Sequence, residues 1–157
     1  MKFRNWLENE DDLHQSEIDF LGSKFRTGDN VKFNYLRNTE KAPNFGSLYQ
    51  QDIEPHGRYV IQDYDPTREL LKNWERGEIE FNNPLVILFN PVFGDGLNER
   101  SWKARLSKKY GGKTGLELSK AIVKDGYDGI VTLDVGPDGK PYDTREIVDL
   151  RWLLQNK

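Results

Sequence analysis

The chain contains no cysteine and two histidines among its 157 residues. Without cysteine there is no disulfide, no thiol nucleophile and no thiolate-bound zinc, and the composition suits a reducing compartment. His14 and His56 cannot build a histidine-rich metal site, and a Ser-His-Asp triad would have to recruit one of them. No apolar run approaches the roughly 18 residues of a membrane-crossing helix. A basic-then-apolar leader is missing too, because acidic residues follow Trp6 closely. Positive charge is not in excess: 23 Lys and Arg against 26 Asp and Glu leave a net charge of −3. Binding driven by many phosphate contacts is therefore not indicated, although a local groove is compatible with this balance. The expectation is a cytoplasmic protein without a membrane partner.

What is present is enough for one domain with one core, spanning 1–157. Aromatics make up 12% of the chain and would supply much of the core volume. Apolar residues from Phe3 to Phe25 recur at helical spacing with Glu8, Glu10, Asp11 and Asp12 between them, which predicts a helical N-terminal segment over 1–27. The remaining 28–157 form the core. Val31 to Arg37 alternates as a half-buried strand, and a long loop follows over 38–55. His56 to Gln62 reads as the second strand. Pro66-Thr67 opens an expected helix through about Arg76, with Leu70, Leu71 and Trp74 as its stripe and Gly77 as its stop. Leu85 to Phe89 is continuously apolar, which predicts a central strand covered on both faces. Helices are expected over Glu99 to Tyr110 and Leu116 to Lys124, the second stopped by Gly126. Ile130 to Leu133 reads as a buried strand, Glu146 as the start of the next, and Arg151 to Leu154 as a final strand or docked tail. The fold class is α+β.

Several local patterns carry little chemistry. Gly112-Lys113-Thr114 lacks the earlier glycine of a phosphate loop, since Ser107 stands there, and it follows a helix where a strand is required. Asp134, Asp138, Asp143 and Asp149 lack the spacing of a calcium loop and suit turns. His56, beside a Pro-x-Gly turn, reads as a surface or packing residue.

An ordered set is more specific. A strand ends in Tyr35-Leu36-Arg37-Asn38-Thr39. A second begins Gly57-Arg58-Tyr59-Val60. An apolar strand abuts Asn90-Pro91. Then come a helix, Gly126-Tyr127-Asp128-Gly129-Ile130, a strand, a turn and Glu146-Ile147-Val148. This order, from Val31 to Leu154, resembles the ADP-ribosyltransferase superfamily, in particular the compact versions carried by phages and other mobile elements. The resemblance implies a split mixed and antiparallel β core flanked by helices, with NAD as co-substrate and no metal. It implies Arg37, with Asn38 and Thr39, as the residues that hold NAD through ribose or phosphate. Gly57 and Tyr59 would form the second NAD-binding motif, the tyrosine packing on nicotinamide. Glu146 would be the catalytic carboxylate. Thr144 stands two residues before it, where arginine-modifying members carry Glu and some others Gln, so arginine is not implied as the acceptor.

The function implied is mono-ADP-ribosylation of a host macromolecule, with a protein target, in phage takeover of a host or in blocking its defence. The alternative is the same fold without catalysis, a binding module or inhibitor that occupies a partner protein. Its contact surface would be the aromatic, acidic N-terminal segment. A third, weaker reading is mimicry of nucleic acid by that acidic face.

Overall fold

Alternating burial along one long strand sets the architecture. A computed structural model describes residues 26–27, 30–40, 52–89, 101–135, 141–151 and 153. Positions 1–25 of the expected helical segment and 41–51 of the expected loop lie outside the described residues. The elements are β1 (Arg26–Thr27), β2 (Asn30–Asn38), β3 (Arg58–Gln62), β4 (Trp74–Phe81), β5 (Pro84–Leu88), α1 (Trp102–Lys109), α2 (Gly115–Lys124), β6 (Gly129–Val135) and β7 (Pro141–Asp149). Val31 and Phe33 of β2 are buried while Lys32 and Asn34 are exposed, the period of a strand with one face inward.

The strands form one mixed sheet in the order β1-β2-β3-β7-β6-β5, with β4 paired to β2. All pairings are antiparallel except β5 with β6. A parallel pair needs a long crossover, and the segment carrying α1 and α2 provides it. The fold is thus a small α+β arrangement of a mixed sheet and, among the described residues, two helices.

Each face of the sheet has its own core. On the helical face Leu85, Ile87, Ile130 and Val148 pack with Trp102, Leu106, Leu118 and Ile122. On the other, Val86, Val131 and Ile147 pack with Val31, Phe33, Ile79 and Phe81. The sheet curls to do this, bringing β4 over β6. A Cβ added to Gly129 would lie 2.2 Å from the Phe81 ring, so only glycine admits this approach. The segment before it is a tie: Gly126, at φ 105°, turns the chain out of α2. The Asp128 carboxylate then accepts from the Asn82 and Asn83 N–H groups at 2.7 and 3.0 Å.

Several expectations are corrected. No helix spans Pro66 to Arg76; residues 66–73 are turns and irregular chain, and β4 begins at Trp74. Asn73, at φ 70°, redirects the backbone there, and Ile79 and Phe81 alternate inward. Leu70 and Leu71, read as part of that helix's apolar stripe, are 40% and 70% exposed. β5 is covered on both faces but lies at an end of the sheet order, with the helices and the curled β2–β4 end as its cover. Glu146 does not start a strand: β7 begins five residues earlier, at Pro141. Arg26–Thr27 is strand, and Arg151 and Leu153 are helical.

Candidate functional site

β3 changes partner halfway along its length. Arg58, Tyr59 and Val60 pair with Asp149, Val148 and Ile147 of β7. Ile61 and Gln62 pair instead with Leu36 and Tyr35 of β2. Beyond Val60, therefore, the first half of β7 parts from β3, and side chains fill the division. The Thr144 hydroxyl donates to Gln62 Oε1 at 2.6 Å, and the Thr144 N–H donates to the Tyr64 hydroxyl at 3.1 Å. Burial of the hydroxyl end of Tyr64 pushes its phenol above the ordinary value, opposed by the bonds to Thr144, so it stays a neutral hydrogen-bonding group.

A cleft of about 470 Å³ opens at this division, within the usual range of ligand sites. Its walls come from the end of β2, from β3, from Trp74 at the start of β4, from Phe89 after β5, and from Thr144 to Glu146 of β7. Arg37, Asn38, Tyr59 and Glu146 all line it, brought together from three strands. Thr39 and Gly57 are not in its wall. Thr39 is exposed and donates its N–H to the Asn73 carbonyl at 2.8 Å. Gly57 permits strand contact: a Cβ there would lie 2.5 Å from Val148 Cγ1.

Arg37 and Arg58 meet one carboxylate, Glu75. Arg37 Nε is 2.7 Å from Glu75 Oε1, and Arg58 donates to the same oxygen. The hydrogen bond from Arg37, then that from Arg58, holds the Glu75 carboxyl below its ordinary value against the opposing effect of burial. Of the two guanidiniums, Arg37 belongs to the cleft wall and Arg58 does not. Tyr59 is 8% exposed, and its hydroxyl donates to the Pro55 carbonyl at 2.6 Å. Its ring lies against Trp102, centroids 6.5 Å apart. The Arg145 guanidinium sits 4.9 Å over the Phe89 ring and pairs with Asp134 at 3.1 Å.

Glu146 stands in a β-bulge. Val131 pairs with Ile147 and Leu133 with Thr144, so Thr132 alone faces both Arg145 and Glu146. A bulge re-aims the side chains of its strand. The Thr132 hydroxyl replaces the missing ladder bonds, accepting the Glu146 N–H at 2.8 Å and donating to the Glu146 carbonyl at 2.9 Å.

The sequence reading missed Gln62, Tyr64, Trp74, Phe89 and Arg145 as cleft residues. Trp74 had a usable signal in the alternation Glu78-Ile79-Glu80-Phe81, which marks its segment as strand. The others join the wall only through the division between β3 and β7. Among the described residues no group of three or more His, Asp or Glu side chains is arranged to hold a metal ion. No helix among them is long and apolar enough to cross a membrane.

Compared with protein families, curated proteins and solved structures, the chain matches none.

Proposed function

We propose that the cleft binds NAD and that the chain is a mono-ADP-ribosyltransferase with the split β core of that superfamily. The observation that carries this reading is the meeting of Arg37, Tyr59 and Glu146 in one cleft, a guanidinium, an aromatic and a carboxylate from three separate strands. The residues suit the ligand. Arginine matches a pyrophosphate or ribose through its forked donors. Tyr59, Tyr64, Trp74 and Phe89 supply aromatic walls for ring systems.

The chemistry asked of Glu146 is electrostatic. In the transfer, the bond between ribose C1′ and the nicotinamide nitrogen breaks, and the electron pair leaves with neutral nicotinamide. C1′ bonds to the acceptor nucleophile, which loses its proton. Positive charge builds on the ribose between these events, much as in glycoside hydrolysis. A fixed carboxylate stabilises that charge more than it stabilises the bound substrate. Nothing about the cleft selects the acceptor, which is proposed to be a macromolecule, with protein the leading class.

The test is incubation with labelled NAD and a cell lysate, beside NAD hydrolysis and calorimetry with purified protein. Transfer and hydrolysis are expected, with a loss of at least about a hundredfold in Glu146→Gln, the scale of removing one preorganised charge-stabilising group. No transfer, no hydrolysis and no NAD binding would sink the proposal. NAD binding without turnover in the wild type would favour the binding module, a reading consistent with the engagement of Arg37 by Glu75 inside the fold.

A further inference from the structure

Trp102 touches two of the residues that define the cleft. It opens α1 and is fully buried. Its indole Nε1 donates to Glu146 Oε1 at 3.3 Å, and its ring packs against Tyr59. The position of α1 is itself secured. Ser101 caps it by accepting the Ala104 N–H at 3.1 Å. Lys103, the next residue after Trp102, pairs with Glu54 at 2.6 Å, both side chains wholly buried. Arg105 donates to the Leu88 carbonyl at the end of β5. The Tyr59 hydroxyl reaches Pro55, the neighbour of Glu54, so helix, loop and tyrosine form one connected support.

Glu146 is consequently held from both ends. Thr132 fixes its backbone N–H and carbonyl within the bulge, and Trp102 fixes one carboxylate oxygen. Indole N–H is a donor only, and it does not ionise in the working range. Its bond selects one orientation for the carboxylate. Preorganisation of this kind is how a charge-stabilising group acts without reorganising during the reaction.

We infer that Trp102 is a positioning residue for Glu146, pinning Oε1 so that the carboxylate is set for the ribose before NAD arrives. This rests on the proposed role of Glu146 in NAD cleavage. Trp102→Phe keeps most of the ring volume and removes the donor. Ile122→Val, in the same core, removes packing without touching Glu146 and serves as the control.

Two readouts are needed. In NAD hydrolysis, Trp102→Phe is expected to lower kcat about tenfold with KM within about twofold, the signature of an interaction made in the transition state. By proton–nitrogen NMR, the Trp102 indole N–H resonance of the protein is expected to move in Glu146→Gln, because its acceptor changes from a carboxylate to an amide oxygen. Ile122→Val should move neither. Unchanged kcat in Trp102→Phe, or an indole N–H signal indifferent to Glu146→Gln, would overturn the inference, as would an equal loss of kcat in Ile122→Val. If the wild type does not cleave NAD, the proposed function fails, and the indole N–H signal alone decides whether Trp102 acts on Glu146. If Trp102→Phe does not fold, the wild-type Trp102 indole N–H resonance gives the answer. It should move in Glu146→Gln; an indole signal indifferent to that change overturns the assignment.

Discussion

Arg37 and Glu75 face each other across the β2–β4 ladder, and Arg37 Nε lies 2.7 Å from Glu75 Oε1. Arg58, from β3, reaches the same oxygen. One carboxylate therefore serves guanidiniums from two strands, near the end of β2, which pairs with β4 along its length and with β3 at Tyr35 and Leu36. It is the internal counter-ion of the cleft rim.

This predicts a specific response to acid. The folded carboxyl of Glu75 is depressed, first by the hydrogen bond from Arg37. A depressed folded value contributes stability above the unfolded carboxyl value of about 4.3, and that contribution is lost as pH falls through the folded value. Glu75 is 34% exposed, so solvent screens the pair. Glu75→Gln is expected to cost about 1 kcal/mol at pH 7. The gap from wild type should narrow between pH 7 and acid below the unfolded carboxyl value. Urea denaturation at the two pH values measures it; a gap independent of pH contradicts the assignment.

The buried Lys103–Glu54 pair predicts strong non-additivity. Both side chains are wholly buried and 2.6 Å apart. Lys103→Met strands a carboxylate in the interior and should cost about 3–5 kcal/mol. Lys103→Met with Glu54→Gln removes that stranded charge and should recover most of the loss. A double-mutant cycle by chemical denaturation reads the coupling; additive losses would show that the pair does not act as a unit.

Tyr110 predicts a loss of stability in alkali. Its hydroxyl donates to Asp125 Oδ2 at 2.8 Å. Burial first, and then this carboxylate, raise its phenol above the ordinary value of 10.0; burial and Asp125 do the same to Tyr127. A raised folded value gives stability that is fully present below the unfolded value and lost as pH rises through the folded one. Stability should therefore fall above about pH 10, less steeply in Tyr110→Phe. Absorbance of ionised tyrosine, followed against unfolding, checks it. Titration of every tyrosine near the ordinary value in the native state would refute it.

Local pattern carried a good deal of the fold. Val31 to Arg37 alternates and is β2; Gly111-Gly112 separates two amphipathic helices; Gly126 stops α2. These features depend on backbone conformation and on the side-chain period, which neighbours in sequence decide. The errors fell where distant segments decide. Leu70, Leu71 and Trp74 imitate a helical stripe, but Trp74 pairs with Asn38 in the β2–β4 ladder. The apolar run of β5 suits a central strand, yet its burial comes from helices on one face and the curled sheet on the other.

The sequence by itself determined an α+β chain without thiols, with Arg37, Tyr59 and Glu146 on three separate strand segments. Tertiary structure alone decided that these three line one cleft, while Thr39 and Gly57 stand outside its wall. It also decided that Glu146 lies in a bulge held by Thr132 and Trp102. The physical reason is that strand register and the division of β3 between two partners are long-range choices. They are made by core packing and ladder pairing between residues far apart in the chain, and no local window of sequence contains both sides of such a choice.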